Sequence, residues 1–187
     1  MTEASRINAT LQKLLKRRGY TVPPDGVPAA HFTVHREKDG DVLLVYRTED
    51  ESRVGVVVVR DMVKLMEELG VSNALLLARG TTSSASAAMN GLIEMRKHIT
   101  TIPPSSLLYD IFEHRDVPPH RILDPEEVEA LLKERKLKLS QFPSIKMDDP
   151  MCRYLGGKPG DVFEIKRNRP TAGYHLYYRK VVDGTCE

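Results

Sequence analysis

The sequence predicts an α+β protein of mixed α/β character in two parts: an N-terminal helix with a mixed sheet over residues 1–112, and a small C-terminal helix-and-hairpin domain over residues 113–187. Three observations carry this. The first part interleaves apolar stretches of helical spacing with short runs suited to strands. The second part carries two cap-then-proline helix starts, followed by turns built on proline and glycine. A chain of 187 residues is long enough for one large or two small domains, each with a modest core.

From Ser5 to Arg18, Ile7, Leu11, Leu14 and Leu15 fall at i, i+4, i+7 and i+8, and Gly19 stands where a C-terminal cap belongs, so an amphipathic helix is expected. Its basic end, Lys13, Lys16, Arg17 and Arg18, resembles a nucleic-acid patch, but cations in a last turn also suit the helix dipole, which is the simpler reading. Pro23-Pro24-Asp25-Gly26 breaks the chain, and Val42 to Tyr46 reads as a strand. Val54 to Gly70 is ambiguous: Val56 to Val59 has the look of a buried strand, while Met62, Leu65, Met66 and Leu69 have helical spacing before Gly70. From residues alone the helix starts at Asp61. Ala74 to Ala78 is a short buried strand, and a helix between strands suits a small α/β layer. Thr81 to Asn90 reads as a loop entering a short helix through Met89, capped by Thr82, Ser83 or Ser84. The same hydroxyls and free amides would also suit a phosphate, without reading sequence. Ile102-Pro103-Pro104 marks a break, Ser106 to Phe112 reads as a strand, and the boundary falls near Glu113.

In the second part, Asp124-Pro125-Glu126-Glu127 ahead of Val128, Leu131 and Leu132 starts a helix running to about Lys136. The aspartate caps, the proline loses no bond at the first position, and the carboxylates face the positive end of the dipole. A polar linker follows. Asp149-Pro150 repeats the device, and Gly156-Gly157 stops that helix near Leu155. Lys158-Pro159-Gly160-Asp161 suits a type II turn, and Val162–Arg167 and Tyr174–Val182 form a hairpin around Pro170-Thr171-Ala172-Gly173.

A net charge of +2 with 29% charged residues sets up no strong field, so nucleic acid would be contacted only locally. The two cysteines, Cys152 and Cys186, have no CxxC spacing, which argues against zinc and for a reducing compartment. The N-terminus is polar, and no run approaches the roughly 20 apolar residues that span a bilayer, so a soluble intracellular protein is expected. His114 and His120 bracket Asp116, but they match no metal-ligand spacing and Pro118-Pro119 prevents a helix from joining them; each imidazole is expected to hold a neighbouring backbone group. No Walker loop, GxSxG or GxGxxG is present.

In order and spacing, His114, Val117, Pro118, His120, Asp149, Pro150, Arg153, Gly156, Gly160, Asp161, Thr171, Ala172, Gly173, Tyr178 and Arg179 closely resemble the C-terminal domain of a shared RNA polymerase subunit, the family of the eukaryotic fifth subunit and its archaeal counterpart. The likeness is strong from His114 to Val182. It is weaker before that, where Arg17-Arg18-Gly19-Tyr20 and Val54-Gly55 are the best anchors. It implies one helix running through the valines from about Gly55, and that reading is adopted. It also implies a non-catalytic shared subunit of nuclear RNA polymerase, whose C-terminal module docks on the largest subunit among the other polymerase subunits. The N-terminal domain would form part of the jaw near downstream DNA. No cofactor, metal, membrane or small-molecule substrate is implied. A Thr-Pro-Ser-Ala element near DNA in the family reads Thr82-Ser83-Ser84-Ala85 here, without its proline. Arg115-Asp116 replaces an acidic-then-aliphatic pair, and Arg169 stands where a small hydroxyl residue is common, so a diverged paralogue stays open.

Two readings compete with this one. A free-standing nucleic-acid module would use Lys166, Arg167 and Arg169 with Tyr174, Tyr177 and Tyr178, but alternation sends Tyr177 to the face opposite the other two. A magnesium-dependent nuclease would use Asp41, Glu49 and Asp50 around the Val42 strand, but no E-x-K triplet follows it.

Overall fold

A computed structural model of the chain describes residues 2–22, 27–28, 31–48, 53–93, 95–169 and 173–183. Contacts divide it into two compact units, Met1–Asp110 and Ile111–Glu187.

In the first unit, α1 (Glu3–Arg17) begins on Thr2, whose hydroxyl accepts from the Ser5 amide at 3.4 Å, and buries Leu11, Leu14 and Leu15 completely. Gly19 follows its last turn at φ +82°, a conformation that favours a residue without Cβ. Strands β1 (Tyr20–Thr21), β2 (Phe32–Arg36) and β3 (Val42–Arg47) pair antiparallel, while β4 (Asn73–Leu77) and β5 (His98–Ile102) continue the sheet in parallel in the order β1-β2-β3-β4-β5. The two parallel crossovers are α2 (Val56–Glu68) and α3 (Ser83–Gly91). One face of the sheet, with Leu44, Ala74 and Leu76, packs against Val59, Met62 and Met66 of α2 and Ala85 of α3. Arg47 points to the other face, where its guanidinium donates to Asn8 of α1 at 2.7 Å. Burial alone lowers the Arg47 pKa.

The helix adopted from Gly55 is present as α2, with Gly55 as N-cap, so the Asp61 start read from residues alone is overturned. Val56 to Val59 form no strand because their turn of helix supplies Val59 to the core while Val57 stays exposed. The expected strand over Ser106 to Phe112 is absent. Pro104 instead opens a 3-10 turn, Pro104–Leu107, in which the Ser106 amide bonds the Pro103 carbonyl at 2.9 Å, and a second 3-10 turn spans Ile111–Glu113. The edge strand lies earlier, at β5, whose Ile-Thr-Thr-Ile run the sequence reading passed over. β1 and β2 were also missed; Pro23-Pro24-Asp25-Gly26, read as a break, lies outside the described residues.

In the second unit, the hairpin of β8 (Val162–Arg169) and β9 (Gly173–Val182) sits inside a four-stranded sheet. Its outer strands, β6 (His120–Ile122) and β7 (Ser144–Lys146), give the order β6-β8-β9-β7. The polar linker thus holds β7, parallel to β9, and a 3-10 turn at Leu139–Gln141. α4 (Pro125–Arg135) starts where expected: Glu127 reaches back to accept from the Asp124 amide at 2.9 Å, and Lys136 ends the helix in a left-handed conformation. α5 (Pro150–Leu155) has the expected bounds. The core joins Cys152 of α5 to Ile145, Phe163, Ile165 and Val181 of the sheet.

Among the described residues, no helix is long and apolar enough to cross a membrane.

Candidate functional site

The C-terminal motif residues serve first as fasteners. Asp149 accepts from the Met151 amide at 2.8 Å and starts α5 at Pro150, while Arg153, half-buried on that helix, pairs with Asp148 at 2.7 Å. Gly156 ends α5 at φ +75° with its amide on the Cys152 carbonyl at 2.9 Å. Gly157, which is not among the motif residues, is needed for a different reason. A Cβ there would lie 2.8 Å from both Cys152 Sγ and Phe163 Cε2, so α5 reaches the sheet only over a bare backbone. The doublet Gly156-Gly157 was the available signal.

In the Lys158–Asp161 turn, Gly160 adopts φ +96° and the Asp161 carboxylate accepts from the Lys158 amide at 2.8 Å. The turn is fixed to β9 by Gly160 N to Val181 O at 3.0 Å and Val181 N to Asp161 O at 2.8 Å. At the module's entrance the imidazoles hold backbone as expected: His114 Nδ1 accepts from the Asp116 amide at 3.3 Å, and His120 Nδ1 donates to the Pro118 carbonyl at 2.6 Å. Val117, half-buried, bonds through its amide to the His114 carbonyl at 3.0 Å. Asp116 is exposed and meets Arg115 at 3.6 Å, so its charge stays in water.

The sheet divides the remaining motif residues between its faces. Phe163 lies opposite Arg179, Ile165 opposite Tyr177 and Arg167 opposite His175, so these six share the face that carries the core. His120 joins them, with its ring edge-on to Phe163 at 6.3 Å. Burial lowers the His120 pKa first of all; the Pro118 bond and Asp149 oppose this, and Arg167 and Arg179 reinforce it through their charge. Segments far apart in sequence therefore bring His120, Asp149, Arg167 and Arg179 into one electrostatic neighbourhood. Arg167, absent from the motif, lies over the Tyr177 ring at 5.3 Å.

Tyr178 belongs to the opposite face. Its hydroxyl donates to Glu164 at 3.4 Å, Arg135 covers its ring at 5.2 Å, and its pKa is raised by burial and then by the Glu164 charge. Glu164 also accepts from Arg121 Nε at 3.1 Å, and Arg121 reaches Glu127 at 2.7 Å, tying β6, β8 and the first turn of α4 together. Gly173 opens β9 at φ +71°. Thr171 and Ala172 lie outside the described residues, as does Cys186, while Cys152 is a buried thiol that donates to the Gly157 carbonyl at 3.7 Å.

In the N-terminal unit, Thr82 is the N-cap of α3, accepting from the Ala85 amide at 3.3 Å with Ser84 Oγ at 3.1 Å. Ala85 is fully buried, whereas Ser83 and Ser84 are exposed. Val54 N to Gly80 O at 2.9 Å and Thr82 N to Val54 O at 3.0 Å set the starts of α2 and α3 side by side.

The alternative sites come apart in the structure. Asp41 is taken up by Tyr20 at 2.7 Å, Asn73 at 2.8 Å and Arg36 at 3.1 Å, while Glu49 and Asp50 lie outside the described residues. No group of three or more His, Cys, Asp or Glu among the described residues is placed to hold a metal ion. Lys166 lies over the Tyr174 ring at 4.8 Å, so both aromatic rings at the hairpin's free end already carry a cation, one on each face of the sheet.

Residues 109–181 match the family RNA polymerase Rpb5, C-terminal domain. Over 75 residues, 40% of this chain and 92% of each relative, the chain is 59% identical to DNA-directed RNA polymerase subunit Rpo5 of Thermococcus onnurineus (strain NA1) and 52% identical to that of Pyrococcus horikoshii. It is 30% identical over 203 aligned residues to DNA-directed RNA polymerases I, II, and III subunit RPABC1 of Caenorhabditis elegans, covering 95% of this chain and 94% of that protein. A chain built of fasteners and a charged face, with polymerase subunits as its relatives, is a non-catalytic component of a larger complex rather than a self-contained enzyme. It belongs to the RNA polymerase Rpb5 family.

Proposed function

We propose that this chain is the shared fifth subunit of the nuclear DNA-directed RNA polymerases, with residues 113–187 as its assembly domain and residues 1–112 as its jaw domain. The observation that carries the reading is the end-to-end likeness to a protein named as a subunit of polymerases I, II and III, with 95% of the chain aligned. The assembly domain docks on the largest subunit, and polymerisation chemistry belongs to other subunits. Rigid turns support this role, since a docking surface needs fixed shape more than shifted pKa values. The jaw domain lies near downstream DNA, with exposed Ser83 and Ser84 at the start of α3 facing phosphate weakly and without sequence preference.

The test is affinity purification of a tagged copy with identification of the copurifying subunits. Recovery of the largest subunit is expected, and recovery of no polymerase subunit sinks the proposal. Arg153→Ala or Gly173→Val is expected to weaken that recovery more than any substitution from Thr81 to Ser84. An equal or reversed ranking places the docking surface elsewhere.

A further inference from the structure

We infer that the Arg167 and Arg179 side of the β8–β9 hairpin seats an extended acidic segment of the partner subunit, with its carboxylates facing the two guanidiniums. The inference rests on the docking role proposed above and names the chemistry of the partner.

Charge is the first support. From Ile165 to Val182 the sequence holds five cationic residues, Lys166, Arg167, Arg169, Arg179 and Lys180, and no carboxylate. Elsewhere in the same unit the guanidiniums of Arg121 and Arg153 are met by carboxylates, at 2.7 Å from Glu127 and 2.7 Å from Asp148. Among the described residues, no carboxylate bonds Arg167 or Arg179. Arg167 is exposed yet held in place over the Tyr177 ring, so little side-chain freedom is lost when an anion binds it.

Strand topology is the second support. β6 pairs with β8 only as far as Ile165, and β7 joins β9 only from Lys180 onward. Among the described residues, the outer side of β9 from Gly173 to Tyr177 therefore carries no strand, and an extended segment can pair there in line with β7. Its side chains on the core-bearing face would meet His175, Tyr177, Arg167 and Arg179. Exposed Tyr174 and Leu176, on the other face, supply apolar contact to alternate side chains. Nucleic acid fits less well. The rings that would stack with bases already lie under Lys166 and Arg167, and a net charge of +2 gives weak long-range attraction to a polyanion.

The experiment uses the tagged full-length chain carrying Arg167→Glu, Arg167→Lys or, on the opposite face, Lys166→Glu. Arg167→Glu is expected to cut recovery of the largest subunit by about tenfold or more, the size of one broken charge pair, while Arg167→Lys and Lys166→Glu stay within about twofold of wild type. Unchanged circular dichroism and thermal midpoint show that each variant folds. In a second arm, the purified chain is titrated with a synthetic Glu-Val repeat peptide and with an oligothymidylate of equal length. The peptide is expected to bind more tightly and to lose about tenfold with Arg167→Glu. Full recovery of polymerase by Arg167→Glu overturns the inference and leaves the subunit assignment standing. Tighter binding of the oligonucleotide, lost in that variant, overturns it in favour of nucleic acid. Failure of the wild type to recover any polymerase sinks the assignment instead, and the peptide arm then decides the surface by itself.

Discussion

Replacing Gly157 by alanine tests whether close approach of α5 to the sheet fixes the C-terminal module. The backbone at Gly157 is not in the left-handed region, so alanine would meet no conformational penalty there. What it meets is matter: Cys152 Sγ and Phe163 Cε2, both at 2.8 Å, and Phe163 Cζ at 3.1 Å. Phe163 is fully buried and Cys152 is 1% exposed, so neither can swing into solvent, and α5 must move off the sheet. Overpacking of this kind costs about 1–3 kcal/mol. In a domain of this size each kcal/mol lowers the melting temperature by roughly 4–8 °C. Gly156→Ala is the comparison. Its cost comes from φ +75° instead, about 1–2 kcal/mol, and trimming Cys152 does not relieve it. Urea unfolding of the full chain, followed by circular dichroism, measures both. Cys152→Ala is expected to recover part of the Gly157→Ala loss and none of the Gly156→Ala loss. A Gly157→Ala protein within about 0.5 kcal/mol of wild type, the scatter of an ordinary surface change, refutes the reasoning.

Asp41→Ala removes the shared acceptor of the Tyr20 hydroxyl and the buried Asn73 amide, and should cost about 2–6 kcal/mol in urea unfolding, from about 1–3 kcal/mol for each of the two orphaned groups. A loss below about 1 kcal/mol means that these bonds are replaceable by water. With DNA and magnesium the wild-type chain is expected to leave the strands intact; nicking that disappears in Asp41→Ala would favour the nuclease. For His120, burial holds the folded-state pKa below the ordinary 6.5, so at acid pH the unfolded chain binds the proton more readily. The stability due to the neutral imidazole is complete above the unfolded-state pKa, and is lost as pH falls through 6.5 toward the folded value. His120→Asn, which keeps an N–H donor for Pro118, should flatten the dependence of the urea midpoint on pH between about 7.5 and 5. Identical slopes for the two proteins would place the acid sensitivity elsewhere.

Local chemistry was the most legible layer of the chain. α4, α5 and the Gly160 turn fall where capping and turn residues put them, because those signals act within a few residues. Tertiary pairing was the least legible. β6, β7 and β5 are short strands at sheet edges, each stabilised by one neighbour distant in sequence, so their own residues carry little alternation to read. Ser106 to Phe112 failed in the opposite direction. Its apolar and aromatic residues have strand propensity, but among the described residues no strand pairs with them, and 3-10 turns open at Pro104 and at Ile111 instead. The valines of α2 show the same override, since a helix brings Val59, Met62 and Met66 to one core and a strand would not.

The sequence by itself determined the cap-and-turn framework from Asp124 to Asp161, the hairpin, and the ordered motif that resembles the polymerase subunit. All of these depend on residue type and spacing along the chain. Only the tertiary structure decided that Gly157 is a contact point and which neighbours Tyr178 and Arg179 meet on the opposite faces that strand alternation gives them. It also decided that Arg167 joins Arg179 and His120 beside the core. Those are facts about which side chains meet across a sheet, and cross-strand register sets them.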